Sequence, residues 1–380
     1  MQQKKRLLGL AANGVLIIAS ISIGYFISNI AFLIYIRSAK QANDFPRQVI
    51  SQLPAPSRWV YPEIGTGRNQ SDLALIGDSY VEGSSDDFNN DKFSYSFAHD
   101  LHRISGEAIA NFGTSGSHLI KQIELYEGAL NGEFWPLVDG RSQKDKPMRI
   151  MLFFYEGNDL DDYFNEIAEG GNDQQIAALK SSRKYQPLRL FLKSWLVNLF
   201  SSISIPGSAP QRPVDNIASR TNSFCMPGYC RTNYQMQSAS PNLSTAEIDQ
   251  ATTATANSIV NFAKGNHNKQ ICVVYIPSPG TIYEPEIIQF EQAQRGSLNR
   301  SGSISREENL SRSLRIRNNL RTRLEAAGIP LIDTTQKLVN KAKQTYLHGE
   351  GDQKHFGREG NKFFASTINS SLGKCFPKVD

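Results

Sequence analysis

What the sequence lacks first is charge bias in its body. Of 41 basic and 36 acidic side chains, the first 50 residues hold six and one, and the remainder is balanced. A balanced body offers no concentrated cationic face for a phosphate backbone, so nucleic acid is not an expected partner. The chain also lacks clustered metal ligands. It has four cysteines and six histidines, and no two Cys or His pairs share a ligand spacing. No metal and no cofactor are therefore expected. Internal repeats are absent as well, which excludes solenoid and propeller architectures.

A local absence is more informative. From Leu7 to Ile36 there is no charged residue, and Val15 to Ile36 is dense in Ile, Leu, Ala and Phe. That exceeds the roughly 20 residues needed to cross a bilayer as a helix. Lys4, Lys5 and Arg6 precede it, so the positive-inside rule puts residues 1–6 in the cytoplasm and the body outside, with Arg37 and Lys40 pulling the other way. The competing reading is a cleaved signal peptide. Its apolar region is usually only about 7–15 residues long, and Ser38 to Ala42 matches a cleavage site poorly. The expected organisation is a transmembrane anchor at 7–36, a Pro/Arg/Gly-containing tether at 37–70 and one domain from 71 to 380, placed in the periplasm or outside the cell.

The four cysteines suit an oxidising compartment. Cys225 and Cys230 bracket Met-Pro-Gly-Tyr, a turn that can bring them together as a local disulfide; a zinc pair is the alternative. Cys272 lies in an expected strand and reads as a buried apolar thiol. Cys375 has no assigned partner.

What is present is a set of short apolar runs that end in polar, glycine-bearing turns. Leu73–Ile76 stops at Gly77-Asp78-Ser79, Ala108–Phe112 runs into Gly113-Thr-Ser-Gly116, and Arg149–Tyr155 stops at Glu156-Gly157-Asn158-Asp159. Further strands are expected at Gln270–Ile276 and Ile329–Asp333. Helices are expected at 93–104, 119–130, 188–200, 244–263, 306–327 and 361–372. Ser244-Thr-Ala-Glu247 and Ser305-Arg-Glu-Glu308 both read as capping signatures. Alternation of this kind predicts a parallel sheet covered on both faces, with ligands at the carboxyl ends of its strands. The stretch from about 160 to 243 does not alternate and reads as an insertion over those ends.

Those ends carry the residues an acyl-transfer site needs. Ser79 is a weak nucleophile that requires a base and an oxyanion site. His355 can take its proton, and Asp352, three residues earlier, can hold the imidazole in the required tautomer. His348 has no aspartate three residues before it and is the less favoured base. The backbone N–H groups of Ser79 and Gly116 and the side-chain amide of Asn158 can converge on an oxyanion if the three strand ends are neighbours. His99, His102, His118 and His267 read as surface or structural.

With those blocks in order, the chain resembles the SGNH, or GDSL, hydrolase superfamily. Gly77-Asp78-Ser79 matches its first block, Asn111–Gly116 its second, Gly157-Asn158-Asp159 its third and Asp352-Gln-Lys-His355 its last. The resemblance implies a flavodoxin-like three-layer α/β/α sandwich. It implies Ser79 as nucleophile, Asp352 and His355 as its triad partners, and Gly116 and Asn158 as oxyanion donors beside Ser79. The expected activity is a serine esterase removing an acyl group, acetyl foremost, from a glycan or other envelope molecule or a small ester. An O-acyltransferase of polysaccharide acetylation using the same serine, and a non-catalytic glycan-binding envelope protein, remain as alternatives.

Overall fold

The computed structural model describes residues 20, 23–24, 27–28, 31, 63–64, 72–83, 97–113, 117–130, 148–168, 223–226, 229–232, 236–290, 302–349 and 354–377. The body is a six-stranded sheet. Its strands are β1 (Glu63–Ile64), β2 (Leu73–Gly77), β3 (Ile109–Gly113), β4 (Arg149–Tyr155), β7 (Gln270–Ile276) and β10 (Leu331–Asp333). They lie in the order β1-β3-β2-β4-β7-β10. β1 pairs antiparallel with β3, and every other pairing is parallel.

The five parallel strands thus follow the flavodoxin-like order 2-1-3-4-5, whose reversal of direction falls between β2 and β4. That is where such sheets bind ligands, because connections leave to opposite faces there and open a crevice at the strand ends.

Both faces are covered, which explains the uninterrupted apolar runs. In β4, Ile150, Leu152 and Phe154 point to one core, while Met151, Phe153 and Tyr155 point to the other. The first core is completed by α3 (Leu119–Leu130), α4 (Asp159–Ala168), α5 (Thr245–Gly265) and α7 (Arg306–Ala326). The second is completed by α1 (Ser79–Glu82), α2 (Phe97–Ser105), α6 (Pro279–Tyr283), α8 (Thr335–Ala342), α9 (Arg358–Asn369) and α10 (Leu372–Cys375). Helix ends follow local chemistry. Ser244 and Glu247 form the reciprocal capping box at the start of α5, and Ser305 caps α7 by accepting from the Glu308 N–H.

The arginines of α7 are largely spent on neighbours. Arg315 pairs with Asp249, and Arg317 and Arg321 both reach Asp333 of β10.

Several features differ from the sequence expectation. β1 adds residues 63–64 to the sheet, ahead of residue 71, where the domain was expected to start. A hairpin of β8 (Ile287–Phe290) and β9 (Gly302–Ser305) and the helices α6 and α8 occupy stretches with no assigned element. Cys272 is not a free thiol. It is disulfide-bonded to Cys375, with Cα atoms 5.4 Å apart, because the chain returns after α9 and lays α10 against β7. Cys225 and Cys230 are register partners across the hairpin of β5 (Ser223–Met226) and β6 (Tyr229–Thr232).

Among the described residues no helix is long and apolar enough to cross a membrane. The expected anchor at 7–36 lies outside the described residues apart from six helical positions, and most of the tether and the helix at 188–200 also lie outside them.

Candidate active site

The turn after β2 is built for close packing. A Cβ on Gly77 would stand 2.3 Å from Val81 Cγ2 and 2.9 Å from Phe153 Cβ, so only glycine lets the chain bend there. Asp78 then caps α1, its carboxylate accepting the Tyr80 N–H at 3.0 Å. Gly83, at φ 98°, ends the helix after one turn. Ser79 is consequently the first helical residue, at the carboxyl end of β2, with its own N–H outside the intrahelical ladder.

The second block braces this turn from the side. Asn111 Nδ2 donates to the Val81 carbonyl at 2.7 Å, and its Oδ1 accepts the Gly113 N–H at 2.9 Å. Gly113 lies against the backbone of α1. Gly116, the expected oxyanion donor of this block, lies outside the described residues, as does Asp352.

His355 reaches the serine. Its Nε2 is 2.7 Å from Ser79 Oγ, nearer than the 3.5 Å from that hydroxyl to Asp78 Oδ2. Backbone contacts hold the segment that carries it. His348 and Phe356 form an antiparallel bridge, Gly349 N donates to the His355 carbonyl at 3.0 Å, and Gly357 N donates to Leu347 O at 2.9 Å. The Tyr80 ring lies 5.3 Å from the His355 imidazole and 5.0 Å from Phe356.

Because β2 and β4 are neighbours, the turn after β4 lies beside the turn bearing Ser79. Asp159 Oδ2 accepts the Tyr155 N–H at 2.8 Å, closing that turn, and Asn158 Nδ2 donates to Asp162 Oδ2 at 3.1 Å. One of its two amide hydrogens is thus used to orient the side chain, and a second remains for a ligand oxygen. Just before it, fully buried Glu156 accepts from Ser278 Oγ at 2.8 Å, Ser313 Oγ at 2.7 Å, Thr281 Oγ1 and the Tyr275 hydroxyl. These four donors come from β7, α6 with its N-cap, and α7. They pin the chain at the point where it enters Gly157-Asn158.

A further brace joins the helices that follow the second and third blocks. His118 Nε2 lies 2.9 Å from Glu166 Oε2, its Nδ1 accepts the Lys121 N–H at 3.3 Å, and Lys121 Nζ lies 3.0 Å from Glu166 Oε1. Burial holds the His118 pKa below its ordinary value.

Burial raises three aspartates, one in the turn after β2 and two in α4. Burial pushes Asp78 up to about 6, against the opposing pull of the Tyr80 N–H and the nearby His355. Burial also raises Asp159 well above its ordinary value, with the charge of Asp78 adding to it. Burial and Asp162 push Asp161 up to about 7. Among the described residues no group of three or more His, Cys, Asp or Glu could hold a metal ion.

Ser79, His355 and Asn158 are thus brought to one end of the sheet. Tyr80, Asn111, Glu156 and the His118–Glu166 brace were not singled out from sequence. Only Asn111, as the first residue of the second block, carried any signal.

No protein-family model matches the chain, and no curated protein does. Solved structures do. A lipase/acylhydrolase from Enterococcus faecalis is 13% identical with a TM-score of 0.37, covering 81% of this chain and 98% of its own. A family two carbohydrate esterase from Clostridium thermocellum, in complex with cellohexaose, is 12% identical with a TM-score of 0.36, covering 82% and 66%. An acetyl xylan esterase from the rumen bacterium Butyrivibrio proteoclasticus is 13% identical with a TM-score of 0.35, covering 80% and 63%.

Proposed function

We propose that this protein is a serine ester hydrolase that removes an acyl group, acetyl foremost, from a glycan or other envelope molecule outside the cytoplasmic membrane. The observation that carries the reading is the 2.7 Å approach of His355 Nε2 to Ser79 Oγ at the carboxyl end of β2. A hydroxyl held on an imidazole at a strand end, beside an oriented amide, is the arrangement acyl transfer needs.

In this mechanism Ser79 Oγ bonds to the acyl carbon as its proton passes to His355 Nε2. The carbonyl oxygen becomes an oxyanion facing the N–H groups of Ser79 and Gly116 and the second amide hydrogen of Asn158. His355 then protonates the leaving oxygen, the ester C–O bond breaks, and the acyl group remains on Ser79. Water, deprotonated by the same imidazole, releases the acid and restores the serine. Asp352 takes the role of orienting the imidazole, as the family resemblance implies.

The tethered location is supported by the uncharged stretch 7–36 behind Lys4, Lys5 and Arg6, and by the Cys272–Cys375 disulfide, which suits an oxidising compartment. A fluorophosphonate probe tests the chemistry. It should label the wild type and not Ser79→Ala, and Ser79→Ala should lose on the order of a millionfold in kcat on an aryl acetate. Equal labelling of the two proteins would sink the reading. Acetylated oligosaccharide formed in preference to free acetate would reassign the same serine to acyl transfer.

A further inference from the structure

The base lies on a segment that belongs to no strand of the main sheet, between β10 with its following helix α8 and the start of α9. Its backbone bridge at His348 and Phe356 fixes the segment to itself. What fixes it to the nucleophile's helix is a file of side chains ending beside the base. The Tyr283 hydroxyl accepts the Leu347 N–H at 2.9 Å and the His348 N–H at 3.3 Å. With its oxygen so occupied, its proton faces His348 Nδ1 at 2.8 Å. His348 is then protonated on Nε2, which lies 3.3 Å from the Tyr80 hydroxyl. Tyr80 in turn donates to the carbonyl of Lys354, the residue before His355.

Every group in this file has one consistent direction: Tyr283 O–H to His348 Nδ1, His348 Nε2–H to the Tyr80 oxygen, Tyr80 O–H to Lys354 C=O. His348 is only 4% exposed and its ring packs on those of Tyr283, Tyr346 and Phe356, so it cannot turn to offer the other nitrogen without breaking that packing. Tyr80 is the residue after the serine. The file therefore joins the residue that follows the nucleophile to the residue that precedes the base, running parallel to the 2.7 Å contact between Ser79 and His355.

We infer that His348 is a positioning residue for the reaction: through Tyr80 it sets the distance and aim of His355 toward Ser79 Oγ, as a neutral imidazole in a fixed tautomer and not as a second base. The inference rests on the ester-hydrolase reading. Its prediction is a loss confined to the chemical step, because a displaced base slows proton transfer while leaving the acyl-binding surface in place.

The test is aryl acetate kinetics on the full chain carrying Tyr80→Phe, His348→Leu, both together, or His348→Gln. Tyr80→Phe keeps the ring that lies against His355 and removes only the hydroxyl. It and His348→Leu should each lower kcat about 10- to 100-fold, with KM within about twofold of wild type. The double variant should be no slower than the worse single one, because both remove the same file. His348→Gln, whose amide N–H can stand in for Nε2–H, should recover most of the loss. Wild-type kcat in Tyr80→Phe, multiplied losses in the double variant, or a His348→Gln as slow as His348→Leu would each overturn the inference. If His348→Leu does not fold, Tyr80→Phe and His348→Gln decide the matter between them. A labelled, active wild type beside an unimpaired Tyr80→Phe removes this inference alone, whereas an unlabelled, inactive wild type removes the hydrolase reading and this inference with it.

Discussion

Gly113 lies against Glu82 so closely that a Cβ at position 113 would stand 2.0 Å from the Glu82 backbone nitrogen and 2.5 Å from its Cα. The atoms in the way are main chain, held by the Asn111 bond to Val81 O and by the turn of α1, so they cannot rotate aside. Gly113→Ala should therefore cost about 2–3 kcal/mol of stability and move Ser79 away from His355, lowering kcat as well. Gly265→Ala, at a position with nothing within 4 Å, is the control and should leave both near wild type. Denaturant titration of the two variants makes the comparison, and equal midpoints would sink the argument.

The Glu156 carboxylate accepts from four side chains at once, those of Tyr275, Ser278, Thr281 and Ser313. Glu156→Ala strands several buried hydroxyls at once and should cost on the order of 3 kcal/mol or more. Glu156→Gln keeps one acceptor oxygen but turns an N–H₂ toward donors, so it should be intermediate. Because Asn158 follows two residues later, kcat should fall in step with stability across the pair. A Glu156→Ala protein that unfolds at the wild-type midpoint would contradict this.

Asp78 carries a pH dependence whose sign follows from its raised pKa. Burial pushes it from 3.8 to about 6, so between those values the folded protein binds more protons than the unfolded chain. Stability from this group is then greatest at the acid end and declines as pH rises from about 4 to about 6. Asp78→Asn can still accept the Tyr80 N–H but has no charge to bury. It should melt higher than wild type at pH 7, with the gap closing toward pH 4. Melting temperatures measured across that range check it, and a gap that grows on acidification would reverse the assignment.

The disulfide between Cys272 and Cys375 closes a loop spanning 103 residues. Cross-links of that span are worth about 4–5 kcal/mol in the chain-entropy account. Cys375→Ser, or wild type held in reductant, should unfold at markedly lower denaturant than the oxidised protein. Coincident unfolding curves would show that the link adds nothing.

Much of the sheet was legible because its central strands are buried on both faces. Arg149–Tyr155 and Gln270–Ile276 are continuous apolar runs, and the observed strands have those same bounds. Helix Leu119–Leu130 was equally plain from its apolar positions. β1, with two residues, and the hairpin of β8 and β9 were not, since elements that short exist through pairing more than through their own pattern. At the site, the turn residues Ser79 and Asn158 and the late His355 were readable because glycine-bearing turns mark strand ends. Tyr80, His348 and Tyr283 were not, because an aromatic residue or a lone histidine in sequence does not reveal which distant backbone it will meet. Cys272 was misread for the same reason: its partner arrives only through the return of the chain after α9.

Ser79 and His355 are 276 positions apart. The serine is synthesised well before its base, so over the intervening stretch of synthesis the chain carries a chemically inert hydroxyl. Reactivity toward esters first arises when the segment bearing His355 folds back onto the turn after β2. Acquisition of fluorophosphonate reactivity would then serve as a clock for completion of the fold.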